Sequence, residues 1–209
     1  MASNRQFIKE INEYVATELA RQGFLRSGDH YFLQGGPRVS GLASVTVTTH
    51  RGDGYIGVGP FIGIEHESIR DALNQLLGKR KGTLPSLTSQ IGYLMPEKRS
   101  LEWLLDPAQP VTQREELLHV STAIGLYGAR FLQEFGSLDA IVRCLENCRY
   151  CFCERVIYHL PVAYRIQERE QEAQKLVRES LAKVASRQDL AAADYRAFAE
   201  RFLTVASST

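Results

Sequence analysis

No run of apolar residues in this chain approaches the length that crosses a bilayer. The opening MASNRQFIKEINEY is polar and amphipathic and lacks the apolar centre of a secretory signal. Net charge is almost nil, +1 from 25 basic and 24 acidic residues, and the two signs are spread along the chain. That balance disfavours a nucleic-acid surface, which needs clustered lysine and arginine. It equally disfavours an acidic mimic of nucleic acid. No internal repeat or low-complexity linker is present. These absences set the expectations: a cytoplasmic address, and neither membrane nor nucleic acid as a partner. Cysteine, too, is missing from almost the whole chain. Cys144, Cys148, Cys151 and Cys153 all lie within CLENCRYCFC.

That cluster is the one feature offering a specific chemistry. Its first three members spell C-x3-C-x2-C, which resembles the iron–sulfur loop of radical S-adenosylmethionine enzymes. In that family most of a barrel follows the loop, whereas here only 58 residues follow Cys151, and they read as helices. The spacing i, i+4, i+7 also places Cys144, Cys148 and Cys151 on one face of a helix. Free cysteine behaves as a small buried hydrophobe, so packing in a helix seam ranks first. Zinc on the three thiols with His159 ranks second, because structural zinc usually uses separated cysteine pairs. A structural disulfide ranks last, since a cytoplasmic chain meets a reducing pool. The expectation is therefore no cofactor, with zinc or an iron–sulfur cluster at Cys144, Cys148, Cys151 and His159 as the alternative.

What is present is an ordinary globular composition, 44% hydrophobic and 23% charged over 209 residues. A first helix spans about 4–21, with Ile8, Ile11, Val15 and Leu19 on one face and Gly23 as its stop. A strand around Tyr31, a turn at Gly35-Gly36-Pro37 and a hairpin of 44–50 with 55–64 follow. Asp53-Gly54 supplies the tip. Pro60 marks a bulge or an edge strand. Residues 67–77 read as a helix and 89–95 as a fourth strand. Leu101 to Leu104 fits a short strand or helix.

From 112 onward the chain reads as helical. A long helix covers 112–135, with Leu117, Val120, Ile124 and Phe131 inward. Ser137 caps the cysteine helix. Another helix of 150–160 is broken or kinked at Pro161. Helices of 163–184 and 190–206 complete the chain, the last with Tyr195, Phe198 and Phe202 inward. The fold class is α+β: a small antiparallel β-meander packed on helices, then a C-terminal helical bundle. The division falls at 1–107 and 108–209, the halves packing as one domain. The C-terminal helices also offer a homodimer face.

Other short motifs carry little. Arg51-Gly52-Asp53 matches an adhesion tripeptide but is more simply a hairpin tip. His66-Glu67 begins like a metalloprotease helix, yet position 70 is arginine. The loop Lys79-Arg80-Lys81 lacks the phosphate-loop spacing.

The segments ELARQGFLRSGDHYFL, SVTVTTHRGDGYIGVGPFIGI, YLMPEKRSLEWLLD and GARFLQEFGSLDAIVRCLEN resemble an uncharacterised family of bacterial domains of unknown function. The likeness covers roughly 8–147 and implies an antiparallel sheet backed by helices. Some families of this general kind look like stand-alone or toxin-neighbouring immunity proteins, and no catalytic residue is carried over. The resulting expectation is a non-enzymatic protein-binding module that neutralises a toxin. Its candidate surface is Arg51, Asp53, Tyr55, Lys79, Arg80 and Lys81, because loops carry recognition more often than packed elements. A small-ligand binding or scaffold domain is the alternative.

Overall fold

A computed structural model describes residues 4–49, 54–78 and 84–205. The chain forms two compact units, one of 1–64 with 88–136 and one of 65–87 with 137–209. It therefore does not divide at residue 107. The first unit takes helices from the expected helical half, and the second takes one from the expected sheet half.

The first unit begins with α1 (Asn4–Arg21), which buries Ile11, Val15 and Leu19. Gly23 adopts φ +87° and the Phe24 amide returns to the Leu19 carbonyl at 3.0 Å. This left-handed glycine cap stops the helix where the sequence indicates. Six strands form one sheet: β1 (Leu25–Ser27), β2 (His30–Gly36), β3 (Val39–Thr49), β4 (Ile56–His66), β5 (Leu87–Gln90) and β6 (Trp103–Leu105). The order is β1-β2-β3-β4-β5, with β6 also paired to β4. The antiparallel meander and the α+β class are thus as expected.

Pro60 does not mark an edge. β4 is an inner strand, and its pairing with β6 ends at Val58, before the proline. The fourth strand is shorter than expected, because α3 (Ile91–Leu94) begins directly after Gln90. The Gln90 amide replaces the missing ladder: Nε2 donates to the Leu101 carbonyl at 2.9 Å, and the Leu101 amide donates to Oε1 at 3.2 Å.

The long helix is not continuous α. It runs as α4 (Pro110–Ala123), a π-helical turn (Ile124–Gly128) and then α5 (Ala129–Phe135). Its stripe of Leu117, Val120, Ile124 and Phe131 is buried as expected. The widened turn lies against Gln22, whose Nε2 donates to the Ser121 carbonyl at 3.2 Å. Gly125 faces Gln22 with no room for a Cβ.

The second unit contains α2 (Glu67–Leu77), α6 (Leu138–Glu146), α7 (Cys153–Ile166), α8 (Glu170–Val184) and α9 (Leu190–Val205). Ser137 caps α6, its hydroxyl accepting the Ala140 amide at 3.2 Å. Pro161 does not break α7, which continues to Ile166. An internal proline costs about 3 kcal/mol. Packing of α7 on α2, α6 and α8 offsets that cost. The expected helix of 163–184 is instead two, parted at Glu168, whose φ is +62°. Among the described residues no helix is long and apolar enough to cross a membrane.

In the first unit a Cβ at Gly35 would meet the side chain of buried Leu132, at 2.6 Å from Cγ. Gly35→Ala is expected to lower stability by about 1–3 kcal/mol through overpacking. In a Leu132→Ala background the same change should cost nothing, as read by urea unfolding of all four combinations. An equal cost in both backgrounds would contradict the contact.

Candidate functional site

A cavity of about 350 Å³ lies within the second unit, walled by α2, α7 and α9. Each helix contributes one face. From α7 come Arg155, Tyr158 and His159, whose spacing i, i+3, i+4 brings them to one side. From α2 come Leu73, Leu76 and Leu77, and from α9 Asp194, Ala197, Phe198 and Arg201, again at helical spacing. Most of the wall is apolar.

An aromatic cluster fixes the α7–α9 side. Tyr158 meets Phe198 edge-on at 4.9 Å and Tyr195 at 5.2 Å. Burial pushes the Tyr158 hydroxyl pKa up, and nearby Asp194 adds to the shift. Arg201 is committed to structure, since its Nη1 donates to the Leu76 carbonyl at 2.8 Å. That bond and the left-handed Gly78 close the C-terminus of α2.

The most unusual group is His159. It is buried, and its Nδ1 shares a hydrogen bond of 3.1 Å with buried Ser86 Oγ. Burial, and then the positive Arg155 one turn earlier, lower its pKa from 6.5 to about 4. The imidazole is therefore neutral at ordinary pH. A base this weak is a poor match for activating a serine near pH 7. As a hydrogen-bonding surface in an apolar wall the same group is well suited.

Arg155 is half-buried over the Phe152 ring, at 4.5 Å. Burial lowers its pKa, against a smaller opposing pull from Glu154. The Arg169 corner of the same unit is different. There Arg169 pairs with Glu172 at 2.6 Å and Glu146 at 3.3 Å, and Tyr164 donates to Glu146 at 2.8 Å. Those charges satisfy one another and bind α6, α7 and α8 together.

The cysteines do not share a helix face. α6 ends at Glu146 because Cys148 is left-handed, with φ +51°, and the Arg149 amide turns back to the Cys144 carbonyl at 2.8 Å. Cys148 and Cys153 form a disulfide, their Cα atoms 5.9 Å apart. The bond ranked last from sequence is the one that forms. The loop reversal brings together two residues that a continued helix would hold apart. Cys144 and Cys151 remain thiols, and burial with nearby Cys144 pushes the Cys151 pKa up, which makes it a weak nucleophile. With Cys148 in the disulfide and His159 on Ser86, the expected metal ligands do not converge. Among the described residues no group of three or more His, Cys, Asp or Glu is placed to hold a metal.

Of the expected partner surface, Arg51, Asp53, Lys79, Arg80 and Lys81 lie outside the described residues. Tyr55 is exposed at 40%. It lies just before β4, in which Gly57 pairs with Leu104 of β6, exposed at 53%. The Glu102 side chain covers Gly57, filling the place a Cβ would take.

No family model, no curated protein and no solved structure matches this chain. The bacterial-domain resemblance of residues 8–147 thus rests on the sequence pattern alone. The cavity residues Arg155, Tyr158, Asp194 and Arg201 were not singled out from sequence. Their one signal was polar groups at i, i+3, i+4 and i+7 beside the apolar stripes of two helices.

Between pH 6.5 and about 4 the unfolded chain binds a proton at His159 that the folded chain does not. Stability from this group is therefore full above pH 6.5 and is lost as pH falls toward 4. The loss is roughly 3 kcal/mol. The Glu170 carboxyl, held low by Arg165, declines in the same direction. The decisive reading is thus the difference between the native chain and His159→Gln in urea unfolding at stepped pH. The variant should show a shallower fall, and identical slopes would contradict the buried neutral imidazole.

Proposed function

We propose that this protein is a non-enzymatic binding protein whose second unit takes a small, largely apolar molecule in the α2–α7–α9 cavity. The observation that carries this reading is a neutral His159, held by its hydrogen bond to Ser86, in a mainly apolar cavity wall. Ligand sites are typically concave and apolar, with a few placed polar groups and a volume of about 300–1,000 Å³. The cavity has that character. The unactivated histidine favours binding over turnover. A cytoplasmic address stays part of the proposal, and there the thiol pool would open the Cys148–Cys153 bond.

Ala197 is exposed at the cavity wall, so a larger side chain there can close the mouth at little cost to packing. Small apolar compounds should raise the midpoint of thermal unfolding of the native chain. Ala197→Trp should remain folded by circular dichroism and lose that response. A panel of such compounds that leaves the native midpoint unmoved would defeat the reading.

A protein partner, with a toxin as its form, draws on one observation: exposed Leu104 on a face of β6, with exposed Tyr55 just before β4. A co-expressed partner held by that face should be retained by the native chain and released by Leu104→Asp. Equal retention by both would remove this surface from consideration.

A further inference from the structure

The charges on the cavity wall indicate what kind of ligand it suits. Two arginines and one aspartate line it, and His159 contributes no charge at neutral pH. Among the described residues the wall therefore carries one net positive charge in mainly apolar surroundings. Arg201 is engaged by the α2 carbonyl terminus through Leu76. Arg155 is not similarly engaged. Among the described residues no side-chain hydrogen bond and no ion pair reaches its guanidinium. Its neighbours are the Phe152 ring and the more distant charge of Glu154.

A partly desolvated guanidinium without a carboxylate partner is costly unless something else supplies the negative charge. Its planar fork of N–H donors matches a carboxylate bidentately. Next to it, one turn along α7, is an imidazole that stays neutral and so adds no competing cation. Leu73, Leu76 and Leu77 of α2 and Phe198 of α9 line the same cavity. Among the described residues Asp194 is the one wall carboxylate, and its charge acts on Tyr158 of the aromatic cluster.

We propose that the ligand is an amphipathic monocarboxylate, an acyl chain lying against the α2 leucines and Phe198 with its carboxylate on the Arg155 guanidinium beside His159. This inference rests on the cavity being a ligand site. It adds the sign and position of the ligand's polar end. A monoanion would cancel the net charge of the wall, whereas a cation would double it.

The test is calorimetric titration of the full chain with octanoate, 1-octanol and octylammonium at neutral pH and fixed salt. Octanoate is expected to bind about 10- to 100-fold more tightly than 1-octanol, the range for a charge-assisted hydrogen-bonded pair. Octylammonium should bind weakest. Arg155→Gln should remove the preference for octanoate while leaving 1-octanol unchanged, and Arg155→Lys should keep part of it. Circular dichroism confirms that each variant is folded. Equal binding of octanoate and 1-octanol, or an Arg155→Gln variant that keeps the preference, overturns the carboxylate assignment and leaves the cavity reading standing. Failure of all three compounds to bind overturns both.

Discussion

A single buried hydrogen bond organises the second unit. His159 and Ser86 are 73 positions apart in sequence, and their bond ties the segment after α2 to the middle of α7. Burying either group alone would leave a polar atom without water, at a cost of about 1–3 kcal/mol. Paired, they satisfy each other and fix where α7 sits. The same burial that makes the bond necessary keeps the imidazole neutral. Arg155, one turn away, reinforces that neutrality and is left without a carboxylate of its own. Structure and proposed chemistry therefore share one cause.

The remaining walls follow from ordinary packing. α2 and α9 turn leucine and aromatic stripes inward, and Tyr195, Phe198 and Phe202 are almost wholly buried. Arg165 stacks 3.4 Å over Phe202, donates to the Phe202 carbonyl and grips Glu170 with two bonds of 2.8 Å. Arginine is used here as a planar connector. The first unit solves a different problem, covering a six-stranded sheet whose inner strand β4 is buried on both faces.

Periodicity made much of this fold legible. The stripes of α1, α2 and α9, the Gly23 stop, the Ser137 cap and the hairpin strands all follow from local spacing and local chemistry. Where reading failed, a distant partner or a rare backbone state decided the outcome. Gln90 could be recognised as a substitute ladder only with Leu101 beside it. Cys148 in a left-handed conformation defies the usual preference for glycine, so the cysteine helix seemed to continue. Pro161 looked like a break because its neighbours in space were unknown. The cavity was hidden for the same reason: its walls come from 73–77, 155–159 and 194–201, and no one segment carries the pattern. His159 was noticed, but as a metal ligand, because its serine partner is 73 residues away.

A buried, neutral His159 shapes the second unit and its cavity. The most direct test is an NMR titration of the histidine imidazoles, with His159 assigned through the His159→Gln variant. The expected midpoint for His159 is about 4. A midpoint near the unperturbed value of about 6.5 would mean an exposed ring and would rule out a buried, neutral imidazole.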